Sequence, residues 1–157
     1  MSEDKLLRRA KDLAYRCLSV RDRSRAEVAA YLEKKGVPAD VAERALAGLA
    51  GDGYIDDRRF AASYARYLVD RKGLSRYALK AELLKKGVSK DDIAAALQST
   101  TDDMPDDESV AVRMAGKKAA SLRGVDKEKA RRRLVDYLRR RGFSFDVIRK
   151  ALKNTDQ

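Results

Sequence analysis

The sequence of 157 residues contains no histidine and a single cysteine, Cys17. These shortages exclude zinc sites, Cys-His nucleophiles, Ser-His-Asp triads and disulfide frameworks. Cys17 lies in an apolar helical pattern, so we expect it to be a small buried hydrophobic residue.

Proline and long apolar runs are also scarce. There are two prolines, and no apolar run approaches the roughly 20 residues that span a bilayer. The N-terminus, Met-Ser-Glu-Asp-Lys, lacks the apolar segment of a secretory signal, which favours a cytoplasmic protein without membrane contact. A charged fraction of 39% beside plentiful aliphatic residues is typical of a helix-rich soluble protein.

Positive charge is concentrated near one end of the chain. The net charge is +11, and the segment 108–153 holds fifteen Lys/Arg against five Asp/Glu, so this segment carries +10 and the rest +1. Such asymmetry indicates a polyanionic partner, either nucleic acid or an acidic protein surface. A basic helix that is merely solvated is the alternative.

The chain contains an internal repeat of three copies. The phrase Lys-Lys-Gly-Val ends at Val37 and again at Val88, and Arg-Arg-Gly-Phe ends at Phe143. The glycines are 51 and 55 residues apart, and apolar residues recur at matching offsets from them, in steps of four that place them on one helical face. These residues are Val28, Leu79 and Leu134; Leu32, Leu83 and Leu138; Ala42, Ile93 and Ile148; Leu46, Leu97 and Leu152.

The repeated phrase predicts a helix stop. A glycine just past a helix end commonly takes the left-handed conformation of a Schellman cap, and cations in the last turn suit the helix dipole. Ser24 and Glu27 fit a capping box for the middle helix of copy 1. Further helix starts are predicted at Asp56-Asp57, Ser89, Asp126 and Ser144, with a weaker first helix of copy 3 from about Ser109 to Leu122.

The predicted fold is therefore all-α, with three tandem three-helix repeats stacked into an elongated, gently curved molecule. The predicted segments are residues 1–52 for copy 1, 53–100 for copy 2, 101–107 for an acidic linker and 108–157 for the basic copy 3. We expect a monomer.

Enzyme chemistry finds little support in the sequence. The stretch Ala115–Ser121 faintly resembles a phosphate-binding loop, but Ala111 stands where that motif needs glycine, and no strand precedes it. Adjacent carboxylates, such as Asp91 and Asp92, fall at helix starts or in the linker, where they cap backbone amides. The sequence predicts a protein that is not an enzyme and has no metal or cofactor.

The cations are the candidate binding residues. Arginine triplets flank one predicted helix, lysines lie on the next, and pairs end two earlier helices, where they could contact phosphates or carboxylates. They are Arg131, Arg132, Arg133, Arg139, Arg140, Arg141, Lys150, Lys153, Lys34, Lys35, Lys85 and Lys86. The tyrosines, spread at helical spacing, are expected mostly in the core or at its boundary.

Four phrases together resemble a known family. They are RSRAEVAAYLEKKGV (23–37), GYIDDRRFAASY (53–64), LKAELLKKGV (79–88) and RRRGFSFDVIRKAL (139–152), and they are similar to the bacterial RecX regulatory proteins over nearly the whole chain. The chain departs from the family pattern in copy 3, where no counterpart of GYIDD precedes the first helix.

The resemblance implies tandem three-helix repeats and a protein without enzymatic activity. It also implies that the chain binds the RecA recombinase and its filament on single-stranded DNA, restraining ATP hydrolysis, strand exchange and filament growth. Direct contact with single- or double-stranded DNA is a further implied property. A stand-alone DNA-binding protein with helix-turn-helix-like units is the alternative, because a short turn joins the second and third helices of each copy.

Overall fold

Residues 2–155, the part of the chain that the computed structural model describes, form nine α-helices and no β-strand. Three consecutive helices belong to each copy, which confirms the predicted all-α fold with three tandem three-helix repeats. The helices are α1 (Glu3–Val20), α2 (Arg25–Lys34), α3 (Ala39–Gly51), α4 (Asp57–Lys72), α5 (Arg76–Lys85), α6 (Lys90–Thr100), α7 (Asp107–Ser121), α8 (Lys127–Arg140) and α9 (Phe145–Thr155).

Packing divides the chain into two compact units. Unit 1 comprises Met1–Ser63 and Leu83–Gln98, and unit 2 comprises Tyr64–Glu82 and Ser99–Gln157. The borders fall inside α4, α5 and α6, so each unit contains residues of more than one copy. In unit 1, α1 packs chiefly against α3 and then against α2; in unit 2, α7 packs chiefly against α9.

Each unit buries the apolar positions that the repeat predicts. Val28, Leu32 and Leu46 are almost completely buried in unit 1, and Leu138 and Ile148 in unit 2. Each such side chain contributes about 2 kcal/mol relative to an exposed position. Cys17 is also buried, which confirms its prediction as a small hydrophobic residue.

The glycine of each repeated phrase ends its helix as predicted. Gly36, Gly87 and Gly142 have φ angles of 81°, 81° and 88°. In copy 1 the N–H of Val37 donates to the Leu32 carbonyl at 3.0 Å, and the N–H of Gly36 donates to the Glu33 carbonyl at 3.0 Å. The same two hydrogen bonds recur in copies 2 and 3, so all three phrases form Schellman caps.

The glycine turn of one copy also packs against the start of the middle helix in the copy before it. In unit 1 the Ser24 hydroxyl at the start of α2 donates to the Lys86 carbonyl at 2.5 Å, and Gly87 lies against the methyl group of Ala26. In unit 2 the Ser75 N–H at the start of α5 donates to the Arg141 carbonyl at 2.9 Å. The same interaction thus joins copy 2 to copy 1 and copy 3 to copy 2.

An aspartate completes each of these contacts. The Arg25 N–H donates to Asp57 Oδ1 at 2.8 Å, and the Arg76 N–H donates to Asp107 Oδ1 at 3.0 Å. The first residue of α4 therefore caps α2, and the first residue of α7 caps α5. Amides at a helix start lack partners within the helix, so a carboxylate there satisfies a donor and complements the dipole.

The expectation that copy 3 lacks a counterpart of GYIDD is wrong. Asp56 accepts from the Arg59 N–H at 3.1 Å, and Asp106 accepts in the same way from the Ser109 N–H at 2.8 Å. Met104 is buried before α7, as Ile55 is before α4. The residues differ from GYIDD, but copy 3 has the same three features. Asp106 caps α7, Asp107 caps α5, and Met104 is the buried apolar residue.

The helix boundaries in copy 3 also differ slightly from prediction. Helix α7 begins at Asp107 rather than Ser109 and ends at Ser121. The cap and the first residue of α7 therefore lie within the segment 101–107 that was predicted as a linker. The other predicted caps are confirmed: the capping box of Ser24 and Glu27, and the side-chain caps of Ser89, Asp126 and Ser144.

We predict that the three glycines differ in their sensitivity to alanine. A Cβ at Gly36 has no atom within 4 Å, so Gly36→Ala costs about 1 kcal/mol for the positive φ alone. A Cβ at Gly142 would lie 2.5 Å from Ser75 Oγ and 2.6 Å from Ala78 Cβ, so Gly142→Ala costs about 1–3 kcal/mol more. Urea unfolding measures both free energies.

Gly87→Ala provides the internal control. Its new methyl group would meet the methyl group of Ala26, so the free energy lost is expected to be smaller in an Ala26→Gly background. Equal losses at all three glycines, or no coupling with Ala26, would show that the turn conformation matters and the close approach does not.

Candidate functional site

The candidate cations of α8 lie on two sides of the helix. Leu134 and Leu138 are buried and define its inner face, whereas Arg131, Arg132, Arg133, Arg139 and Arg140 are exposed. Residues seven apart point within about 20° of one direction. Arg132 and Arg139 therefore form one row along α8, and Arg133 and Arg140 form a second.

Neighbouring groups hold some of the arginines in place. Arg140 Nε donates to the backbone carbonyl of Asp136 at 3.4 Å. Arg141 is half-buried, with its guanidinium carbon 3.7 Å from the centroid of the Tyr137 ring and Nη1 donating to the Tyr137 carbonyl at 3.4 Å. Lys118 Nζ lies 5.5 Å from the same ring centroid. Arg141 is thus a packed residue, unlike the exposed arginines of the two rows.

On α9 the cations share a carboxylate. Arg149 Nη2 lies 2.6 Å from Asp146 Oδ1, and Lys150 Nζ lies 3.4 Å from Asp146 Oδ2. Hydrogen bonding and charge from Lys150, followed by the hydrogen bond from Arg149, lower the pKa of Asp146. Lys153 is exposed. The structure therefore commits Lys150 partly to its own helix, and Arg149, which the sequence analysis passed over, accompanies it.

The lysine pairs of copies 1 and 2 have different surroundings. Lys34, Lys35 and Lys85 are exposed, and Lys35 Nζ lies 5.6 Å from the centroid of the Tyr31 ring. Lys86 is half-buried: its carbonyl accepts from Ser24, and its ammonium lies 3.5 Å from Glu27 Oε2. Among these four candidates, Lys86 has a clear structural role in unit 1.

Glu27 is the centre of a small charge network. Its side chain is only 16% exposed, and Arg21 Nη2 lies 2.9 Å from Oε2. Burial raises the pKa of Glu27, but the hydrogen bonds from Arg21 and the Ser24 N–H, with the charges of Arg21 and Lys86, outweigh burial and lower it below the usual range. The ionised carboxylate therefore stabilises the contact between copies 1 and 2 within unit 1.

Two surface features were missed by the sequence analysis. Lys5, Arg8, Arg9 and Arg16 on α1 are exposed, and with Asp12 and Leu13 they line an open groove of about 330 Å³. Their spacing of three to four residues could have indicated it. Four of the seven tyrosines, which were expected mostly in the core or at its boundary, are exposed, namely Tyr15, Tyr54, Tyr67 and Tyr77.

The residues that the structure describes contain neither a candidate metal site nor a candidate membrane-spanning helix. Over residues 2–155 no three His, Cys, Asp or Glu side chains are grouped as metal ligands would be. None of the helices in the same residues has the length and apolar character required to cross a bilayer. The chemistry offered by the surface is that of exposed guanidinium and ammonium groups.

The fold and this surface define a class: an all-α protein of tandem three-helix repeats whose surface is rich in cations. The chain matches the first three-helix domain of RecX over residues 10–49, the second over 56–97 and the third over 106–152. The chain belongs to the RecX family of regulatory proteins.

Individual relatives agree with this assignment. The chain is 34% identical over 150 residues to the regulatory protein RecX of Amycolatopsis mediterranei, covering 93% of this chain and 85% of that protein. It is 37% identical over 149 residues to that of Mycobacterium ulcerans, covering 93% and 84%. The crystal structure of RecX from Lactobacillus salivarius shares the fold, with a TM-score of 0.79, 24% identity and 98% of each chain covered.

We predict that Glu27→Gln destabilises the protein by about 1–2 kcal/mol at neutral pH, because it removes a charge-assisted hydrogen bond and an ion pair. The pKa of Glu27 is lower when folded, so its contribution is present above the unfolded-state pKa. It is lost as the pH falls through the folded-state pKa. Unfolding free energies of the wild type and the variant are expected to converge as the pH falls below the folded-state pKa.

Glu33→Gln is the matched control, since Glu33 is exposed on the same helix. Its unfolding free energy is expected to stay within about 0.5 kcal/mol of the wild type across the same pH range. A constant difference between Glu27→Gln and the wild type down to acid pH would contradict the role given to the ionised carboxylate.

Proposed function

We propose that this protein acts in the cytoplasm as a modulator of the RecA recombinase. It binds RecA and its filament on single-stranded DNA, and it inhibits ATP hydrolysis, strand exchange and filament growth. The support is membership of the RecX family together with the exposed cations of α8. The protein works as a binding partner, without chemistry of its own.

The observation that carries the proposal is the pair of arginine rows on α8. Arg132, Arg133 and Arg139 are exposed and make no ion pair with an acidic side chain of residues 2–155. A guanidinium group can donate two parallel hydrogen bonds to a carboxylate or a phosphate. A RecA filament on DNA offers both groups, so these arginines fit a docking role in the filament groove.

Docking in the groove explains inhibition by mechanical means. A protein that bridges neighbouring RecA subunits hinders the rearrangement between them that accompanies ATP turnover. It also occupies the space that a second DNA would enter during strand exchange. Charge attraction accelerates the encounter and selects the partner, while the packed helices supply the rigid surface.

Charge reversal tests this proposal. The triple variant Arg132→Glu/Arg133→Glu/Arg139→Glu is expected to need at least about tenfold more protein for half-inhibition of RecA ATP hydrolysis on saturating single-stranded DNA, because reversed charges repel an acidic partner. Circular dichroism is expected to show unchanged helix content, since none of the three residues is buried.

A matched triple on α1 separates position from net charge. Lys5→Glu/Arg8→Glu/Arg9→Glu changes the charge by the same amount on exposed residues and is expected to inhibit like the wild type. If the α1 variant loses inhibition and the α8 variant keeps it, the docking surface lies on α1 and the proposal for α8 is wrong.

The competing function is stand-alone DNA binding through helices α8 and α9. The specific observation in its favour is that Phe145 and Lys153 are exposed on α9, the helix that would enter a groove. The pairing of Arg149 and Lys150 with Asp146 weighs against it. Inhibition far below one molecule per RecA favours filament modulation, whereas inhibition only when the protein coats the DNA favours this competitor.

A further inference from the structure

An open groove of about 390 Å³ lies within unit 2. Its walls come from the second half of α4, from α5 and from the end of α8. Tyr64 and Tyr67 contribute aromatic surface, and Lys72, Arg140 and Arg141 contribute positive charge. The volume falls in the range of small-ligand sites, about 300–1,000 Å³, so the groove can hold a group the size of a nucleotide.

The two tyrosines form a stacked pair. Their ring centroids are 5.9 Å apart with an interplanar angle of 23°, and Tyr67 is 45% exposed. One turn of α4 holds them at positions i and i+3, so the pair is fixed by the helix. A stacked pair with an exposed outer ring offers a flat apolar surface on which a further planar ring can stack.

The charges around the pair are mostly positive. Lys72 and Arg140 are exposed, and Arg141 is held by its contact with Tyr137, so three cations border the groove. Glu82 is the acidic residue in the lining. A ligand that fits this lining combines a flat ring with negative charge.

We propose that this groove binds single-stranded nucleic acid, with one base stacked on Tyr67 and the neighbouring phosphates on Lys72 and Arg140. An acidic peptide supplies the charge but offers a flat ring only where it contains an aromatic residue, whereas every nucleotide of a single strand carries a base. A duplex keeps its base faces covered. This inference rests on the proposed function only for its setting, which is a filament on single-stranded DNA. The class of ligand follows from the aromatic and cationic side chains of the groove.

Stacking is tested with a labelled single-stranded oligonucleotide of about 16 nucleotides, by fluorescence anisotropy and without RecA. Tyr67→Ala is expected to weaken binding about tenfold, and Tyr67→Phe, which keeps the ring, is expected to bind like the wild type. Tyr77→Ala is the matched control, because Tyr77 is 78% exposed in unit 2 but does not line the groove.

The phosphate contact is tested by salt dependence. Lys72→Glu is expected to weaken binding and to lower the slope of log K against log salt by about 0.7, the value for one lost phosphate contact on a single strand. Lys80→Glu, an exposed α5 residue outside the groove, makes the same charge change and is expected to reduce the affinity much less.

Three results would overturn the inference: no binding by the wild type even at low salt, no loss on Tyr67→Ala, or equal losses for Tyr67→Ala and Tyr77→Ala. Polyglutamate provides a further test. If it displaces the oligonucleotide from the wild type and from Tyr67→Ala equally well, the binding is electrostatic alone and the stacking site is refuted. Because RecA is absent and the α8 triple leaves Arg140 unchanged, failure here is separable from failure of the proposed function.

Discussion

The repeat depends on how closely a helix end of one copy can approach a helix start of the copy before it. In unit 2 the Cα of Gly142 lies where any side chain would collide with Ser75 and Ala78. That approach brings the Arg141 carbonyl to the Ser75 N–H at 2.9 Å. The negative end of one helix thus meets the positive end of another, and two sets of unpaired backbone groups are satisfied together. Unit 1 contains the same arrangement around Gly87 and Ser24.

The hydrogen-bond donor in this contact differs between the two units, because the starts of α2 and α5 are capped differently. In copy 1 the Glu27 carboxylate accepts from the Ser24 N–H, so the Ser24 hydroxyl is left to reach the Lys86 carbonyl. In copy 2 alanine stands at the position of Glu27, and the Ser75 N–H itself donates to the Arg141 carbonyl. The smaller side chain also leaves room for Gly142. Each junction therefore brings a glycine turn to the start of the preceding copy's middle helix through a different set of atoms.

Local patterns in the sequence were enough to predict the helices but not these contacts. Schellman caps and the capping box depend on residues within six positions, so letters such as those around Gly36 specify them directly. The partnership of Asp57 with Arg25 spans 32 residues and depends on packing. The same reason explains why Met104, Asp106 and Asp107 were not recognised as the counterpart of the second copy's motif. For the candidate site, exposure of the α8 arginines follows from helical periodicity, whereas the groove beside Tyr67 is formed by residues far apart in the chain.

The two cations in the repeated phrase have separate roles, and the structure explains why. The first, at Lys34, Lys85 and Arg140, is exposed in every copy. The second cation directly precedes the glycine. In copies 2 and 3, where the turn packs against a preceding copy, this residue is Lys86 or Arg141. Each is half-buried, and its backbone carbonyl accepts a hydrogen bond. In copy 1 nothing lies within 4 Å of the position of a Gly36 Cβ, and Lys35 stays exposed. The first cation therefore stays at the surface in every copy, whereas the second is partly buried at the helix contact in copies 2 and 3. A count of basic residues in this chain therefore overstates the positive charge that a partner can reach.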